Sequence, residues 1–424
     1  MVDMTVTQPV AERSLSRQAW FMVGAALLGT MCCSTSVILV NVGVFMKPLG
    51  ETFGWARGDI ALSLSIAALS MAAANPFVGG LIDRFGVKPV LVTSLLLYGL
   101  FVAATPLMIG EGDIWGLYLA YAAIAGFGAG SNVIAYVRLL SGWFTGPLND
   151  KRGLALGISS AGIPLGTTIT SPLGVLLIDA FGWQGGFWGL ALLPLVVGLP
   201  IALFLIRPAP GEVRRPRGGG PVAAANLPGL TMGEAMRTQA FWLLLAMALL
   251  MSSCLQAIGI HTAPLLGDFG MAAWLLALIL AIDGALGIVA RVGAGFLFDR
   301  FFAPYVSAVI FSIAAVSAFG YAAEPTLIVA ILATLLITIG SGAESDFIGY
   351  VVGRYFGLKS YGQIFGAVYG MFMIGIALGP YLFGVAFDAW GNYQMPFLFA
   401  GIGVTVICIL MLMLPAFPAE AEKR

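Results

Sequence analysis

Charge is scarce in this chain. Asp, Glu, Lys and Arg make up only 9% of its 424 residues, where a soluble domain carries about 25%. Water is therefore not the main solvent for its surface. The charges that remain cancel to a formal net of +0, which excludes the broad basic face that nucleic-acid binding requires. His261 is the single histidine, so a multi-histidine metal site is excluded. The 4 cysteines, Cys32, Cys33, Cys254 and Cys408, all lie in apolar runs. Their spacing fits neither a zinc site nor a disulfide framework, and they read as small apolar side chains in helices. No GxSxG, HExxH or phosphate-loop motif occurs, so an enzyme is not indicated and no cofactor or metal is implied. The polar stretch 1–17, with Arg13 and Arg17, has no small-residue cleavage site after a short apolar core. No removable signal peptide is expected.

What the chain has instead is apolar length. Hydrophobic residues reach 60%, in runs of about 20 that lack the polar/apolar alternation of barrel strands. The 56 glycines suit close helix–helix contact in lipid, where small residues let backbones approach. The expected fold is an all-α membrane protein. Spans are predicted at 18–44, 58–82, 89–109, 114–137, 152–178 and 186–206, then at 239–262, 273–297, 303–322, 326–350, 361–386 and 394–415. These are twelve transmembrane helices, six and six. Between them, the Pro-, Gly- and Arg-rich 207–229 reads as a flexible linker. The expected organisation is a tail at 1–17, a bundle at 18–206, a linker at 207–238, a bundle at 239–415 and a tail at 416–424.

Lys and Arg placement sets the orientation. With the N-terminus inside, the inner regions hold Arg13, Arg17, Arg84, Lys88, Lys151, Arg152, Arg207, Arg214, Arg215, Arg217, Arg237, Arg300, Arg354, Lys359, Lys423 and Arg424. The opposite side holds only Lys47 and Arg57. Both termini and the linker are expected to be cytoplasmic, in a multi-pass inner (plasma) membrane protein.

The two halves repeat. GVFMKPLGETFG (43–54) lies over GIHTAPLLGDFG (259–270), and GGLIDRF (79–85) over GFLFDRF (295–301), at one offset. GFGAGSNVIAYV (126–137) and GSGAESDFIGYV (340–351) are identical at seven of twelve positions, and LIDAFGW (177–183) lies over AFDAWGN (386–392). A parallel repeat of this kind implies two pseudo-symmetric bundles, with the substrate site at their interface near the midplane.

Gly79, Asp83, Arg84, Gly86 and Lys88, between spans two and three, resemble the loop motif of the major facilitator superfamily. Asp299 and Arg300, after Gly295, form a degenerate second copy in which Phe302 and Pro304 replace the later glycine and basic residue. More narrowly, PLGETFGWAR (48–57), WFTGPLNDKRGLALGISSAG (143–162), GIVARVGAG (287–295) and GAESDFIGYVVGRYFG (342–357) resemble the monocarboxylate-porter branch and its bacterial oxalate/formate-type relatives. The resemblance implies that the loop motif stabilises one conformational state and does not bind substrate. Physically, Gly79 permits tight packing, Gly86 permits a sharp turn, and Asp83 is suited to the positive end of a neighbouring helix. Arg84 and Lys88 are expected at headgroup level.

Arg291 lies eight residues before Asp299, about 12 Å inside the loop along the helix axis. It cannot shed its charge, and an intramembrane cation marks a functional site by default. In the resembling family an arginine at this place binds the substrate carboxylate, which suits the guanidinium fork. The alternative is a structural salt bridge with Glu344 or Asp346. Asp283, two turns away, is a candidate proton carrier, because a desolvated carboxyl can load and release a proton. The family's aspartate stands one turn before the arginine, where this chain has Gly287. Glu344 and Asp346 are the competing carriers; at i and i+2 they point to different faces, and one is expected to pair with Arg354 or Arg300. Asn132, the repeat partner of Asp346, and the phenols of Tyr121 and Tyr369 are candidate substrate contacts. Tyr136, Tyr350 and Tyr381 are further intramembrane tyrosines, and His261 is expected near the outer surface.

Oxalate-type exchangers carry an intramembrane lysine on span eleven, and GQIFGAVYGMFMIGIALGPYLFG (362–384) has none. One fixed cation favours a monoanion, and a neutral pair of anion and proton crosses more cheaply than a charge. The expected function is secondary active transport of a small monocarboxylate with proton symport, by a functional monomer. An anion exchanger, a drug or metabolite exporter and a non-transporting sensor are the alternatives.

Overall fold

A computed structural model describes residues 7–109, 113–209, 229–271, 273–323 and 326–418. Among them it is built of helices. Span one is Thr7–Met31, the π-helical turn Thr35–Leu39 and Val42–Phe53. Its helix thus starts inside the stretch expected as a tail. Span two is Arg57–Phe85 and span three Val87–Met108. They are joined at Gly86, whose φ of 85° is available to glycine at no steric cost. Span four is Ile114–Gly128, the 3-10 turn Ala129–Ser131 and Val133–Trp143.

After the 3-10 turn Gly146–Lys151, span five comprises Arg152–Ser160 and the start of Gly162–Leu192. The helical run Leu148–Leu205 is 58 residues long. At 1.5 Å per residue that is roughly 87 Å, nearly three times a hydrocarbon core of about 30 Å. The run is broken at Gly182, with φ 71° and ψ 177°, a combination essentially reserved to glycine. The chain turns there, and span six follows, ending in the π-helical turns Leu193–Gly198 and Ile201–Leu205. Length and hydropathy alone pick out 11 membrane-spanning helices among the described residues; dividing the long run at Gly182 makes twelve.

Spans seven to twelve are Gln239–Asp268, Ala273–Arg300, Ala303–Ala323, Leu327–Phe356, Tyr361–Trp390 and Gln394–Leu412. Residues 210–228 of the expected linker, and 1–6 and 419–424 of the expected tails, lie outside the described residues. The rest of the linker has form: Leu230 N–H donates to the Phe356 carbonyl at 2.8 Å, and Thr231 and Glu234 make a reciprocal capping box on Met232–Ala235.

The two bundles meet backbone to backbone at the end that carries Asp83 and Asp299. A Cβ on Gly79 would collide with the Gly362 carbonyl, and one on Gly295 with the Gly153 carbonyl. Span two therefore seats on span eleven as span eight seats on span five, by the small-residue packing that lipid-embedded helices use. These two contacts are equivalent under the sequence repeat.

In the first bundle, spans one and four are both broken at mid-length, and they repair each other. Asn132 is extended (φ -90°, ψ -166°). Its amide donates to Ser34 Oγ at 2.9 Å and the Gly128 carbonyl at 3.2 Å, and its Oδ1 accepts from Thr35 N at 3.4 Å. Ser34 N–H donates to Ser131 Oγ at 3.3 Å. Lower in span one, Asn41 Nδ2 donates to the Ser36 and Val37 carbonyls at 3.2 and 3.0 Å. Irregular backbone at membrane depth persists only where such partners replace the lost helical bonds.

Candidate functional site

Spans eight and ten run side by side, and two of the intramembrane charges lie on that seam at different levels. Asp283 accepts a hydrogen bond from Thr338 Oγ1. Two turns on, Arg291 Nη1 donates to Ser345 Oγ at 3.1 Å and lies 3.9 Å from Asp346 Oδ2. Asp283 and Arg291 thus share a neighbouring helix but not a partner.

Asp346 Oδ2 also accepts from Ser160 Oγ at 2.8 Å. Ser160 is on span five, so this bond crosses from one bundle to the other. Glu344 points elsewhere, as the i, i+2 spacing requires, and accepts from the amide of Gln256 on span seven. Both carboxyls are 1% exposed. Each leaves one oxygen, Glu344 Oε2 and Asp346 Oδ1, buried without a hydrogen-bond partner. Neither pairs with Arg354 or Arg300, contrary to expectation. The Arg354 guanidinium lies by Tyr350 and Phe417, and Arg300 stacks on Phe296 at 4.0 Å.

The Arg291–Asp346 pair is long, and it is asymmetric. The Arg291 side chain is 18% exposed and that of Asp346 1%. Among the described residues the guanidinium makes one hydrogen bond, the Nη1 bond to Ser345. The rest of its donor fork is unused, which is the capacity a bidentate carboxylate needs. Tyr369 of span eleven lies within electrostatic reach of Arg291, Glu344 and Asp346, and of Cys33 beside the break in span one. It stacks between Phe365 and Phe372, at centroid distances of 5.3 and 5.2 Å.

The other candidate contacts are not brought to this cluster. The Asn132 amide is consumed by the helix breaks described above. Tyr121 is fully buried with its hydroxyl unbonded, and no hydrogen bond or ring contact ties it to Arg291. His261 of span seven has Nε2 at 3.2 Å from the Pro380 carbonyl and Nδ1 at 3.5 Å from the Tyr393 hydroxyl.

At the end where the bundles close, Asp83 accepts from the backbone N–H groups of Gly362 and Gln363, both at 2.9 Å. Asp299 accepts from those of Gly153 at 2.6 Å and Leu154 at 2.9 Å. Each carboxylate caps the first turn of a helix in the opposite bundle, where orphan N–H groups and the dipole favour negative charge. Arg138 Nε lies 3.6 Å from Asp83 Oδ1. Arg84 stacks over Phe85 at 5.2 Å. Lys88 is not simply at the headgroups: its Nζ donates to the Leu203 and Ile206 carbonyls at 2.5 and 3.2 Å, closing the end of span six.

The profile of the Major Facilitator Superfamily matches residues 26–350. This chain belongs to the major facilitator superfamily. Its members are transporters rather than enzymes, and the relatives agree. Monocarboxylate transporter 4 of Rattus norvegicus is 27% identical over 406 residues, covering 90% of this chain and 80% of that one. Monocarboxylate transporter 11 of Homo sapiens is 25% identical over 375 residues, covering 86% and 76%. Among solved structures, the E. coli fucose:proton symporter superposes with a TM-score of 0.68 at 18% identity, over 92% of this chain and 98% of that one. The proton:xylose symporter XylE gives 0.73 at 13% identity, over 96% and 99%. These likenesses fix the facilitator fold of two bundles.

Residue patterns alone missed Gln256, Ser160, Ser345 and Thr338, the partners of the four intramembrane charges. Their types are common in membrane helices, and only the packing of spans five, seven, eight and ten selects them. The break in span four did leave a trace, the glycine run of GFGAGSN (126–132).

Proposed function

We propose that this facilitator moves a small monocarboxylate by alternating access together with a proton, Arg291 binding the carboxylate. The observation that carries the reading is the half-used guanidinium of Arg291, 3.9 Å from Asp346, between two bundles. A tight structural salt bridge would occupy the fork; this one leaves it to a second carboxylate. The phenol of Tyr369, within electrostatic reach of Arg291, is the candidate for a further contact. The similarity to monocarboxylate transporters supports the substrate class, and one fixed cation supports a monoanion. An arriving anion adds a third carboxyl group beside one arginine, and that excess of negative charge in a dry site calls for a proton. With the basic loops inside, the termini are cytoplasmic, the end closed by Asp83 and Asp299 is the cytoplasmic one, and the conformation faces outward in the plasma membrane. The working unit is the monomer, since one chain carries both bundles.

The test is uptake of labelled acetate, lactate, pyruvate and benzoate into proteoliposomes, with and without an inward proton gradient. Gradient-stimulated uptake that Arg291→Gln abolishes, in a variant that still inserts, is the expected result. Uptake indifferent to that substitution would make Arg291 structural and favour an exporter of uncharged compounds.

A further inference from the structure

Two carboxyls and one guanidinium share the centre of this molecule, and their charges do not balance. Arg291 can neutralise one acid, and the geometry says which. Asp346 is 3.9 Å from it, while Glu344 is hydrogen-bonded to the neutral amide of Gln256 and makes no ion pair among the described residues. Both acids are 1% exposed. An isolated carboxylate in so dry a place is far costlier than the neutral acid. The Glu344 oxygen left without a partner, Oε2, is the one open to a proton.

Resting on the symport reading above, we infer that Glu344 and Asp346 divide the work: Glu344 keeps its proton throughout the cycle, and Asp346 carries the one that travels with the substrate. The groups that face Asp346 are Arg291 of span eight, Ser160 of span five and Tyr369 of span eleven, and the charge of Glu344, on another face of its own helix, also acts on it. Only Arg291 among them is a cation, and Arg291 is also the group a substrate anion takes. Once the anion occupies the guanidinium, Asp346 loses its counter-charge and accepts a proton at Oδ1, its unbonded oxygen. When the anion leaves, Arg291 returns to Asp346 and that proton goes to the compartment then open. Because Ser160 belongs to the other bundle, the exchange takes place on the contact that the rocking motion makes and breaks. The repeat offers a comparison: Asn132, at the position of Asp346 in the first half, is a permanently neutral side chain and serves only to bind span four to span one. Glu344 acts in the same way as a positioning residue, tying span ten to span seven.

The neutral isosteres separate the two roles. In proteoliposomes, Glu344→Gln should keep gradient-driven uptake within about threefold of native and leave its pH profile in place. Asp346→Asn should abolish the response to a proton gradient while retaining exchange of labelled for unlabelled substrate, because a carrier neutral at that position can cycle only when loaded. Loss of coupling in Glu344→Gln, or surviving coupling in Asp346→Asn, overturns the assignment. The infrared carbonyl-stretch band of the purified protein decides the resident proton whether or not any acid is transported. A protonated-carboxyl band that persists from mildly acidic to mildly alkaline pH and disappears in Glu344→Gln supports it. A spectrum that the substitution does not change, or a band that titrates away over that range, overturns it.

Discussion

At the residue scale, the distinction that matters is between polar groups whose bonding capacity is spent and those that keep some in reserve. Among the described residues, Arg291 makes one hydrogen bond and one long ion pair. Asn132 uses both ends of its amide inside its own bundle. Substitution should separate them. Arg291→Lys keeps the charge but loses the planar fork, so KM for a monocarboxylate should rise by roughly ten- to a hundredfold, the cost of one charged hydrogen bond; a KM within twofold of native would remove Arg291 from the substrate. Asn132→Ala should instead lower the thermal stability of the purified transporter by about 1–2 kcal/mol, the range for interhelical bonds in lipid, with KM nearly unchanged. A large KM effect at full stability would return Asn132 to the list of substrate contacts.

At the scale of elements, two helix-end caps join the bundles at one end of the molecule. Asp83 caps span eleven and Asp299 caps span five, related by the repeat. Neutralising either one, as Asp83→Asn or Asp299→Asn, removes charge-to-dipole attraction but leaves an acceptor, at a cost of about 0.5–1 kcal/mol each. The closed state should then lose population by several-fold, read as faster thiol labelling of Ser141→Cys, a position buried on span four near Tyr361. Unchanged labelling in the double variant would mean that the glycine seams alone hold the closure. The motif's aspartates were readable from spacing and from the resemblance. Their partners were not, because a carboxylate at a helix end names no particular helix, and Gly362 and Gly153 lie 279 and 146 residues from Asp83 and Asp299. The destination of Lys88 was equally hidden: it depends on where span six ends, 115 positions away at Leu203.

For the whole molecule, topology hinges on Gly182. The helical run of 58 residues around it would have crossed the bilayer once and lost a span, and the left-handed φ of one glycine makes it two. Gly182→Val should cost about 1–3 kcal/mol of backbone strain, seen as a lower melting temperature and a reduced inserted fraction; a native-like melting curve would show that the turn tolerates a side chain. Reporter fusions at the two termini should read the same compartment, since the span number is even, and a split result would contradict twelve crossings.

Span number, helical character and the repeat were all present in the sequence, because hydropathy is a one-dimensional signal and the bilayer sets a single length scale. The facilitator resemblance was likewise legible, carried by contiguous residues from Gly79 to Lys88. The sequence also located the intramembrane charges, since they stand out against an apolar background. What it left open was the partner each one takes. It offered Asp283 as proton carrier with Glu344 and Asp346 as competitors, and expected Arg354 or Arg300 beside one of the latter two. Tertiary structure put Asp346 beside Arg291, Glu344 beside Gln256 and Asp283 beside Thr338. The physical reason is that hydrogen bonds and ion pairs act over a few ångströms. Which side chains come that close depends on the rotation and depth of six pairs of packed helices, and no local pattern encodes that.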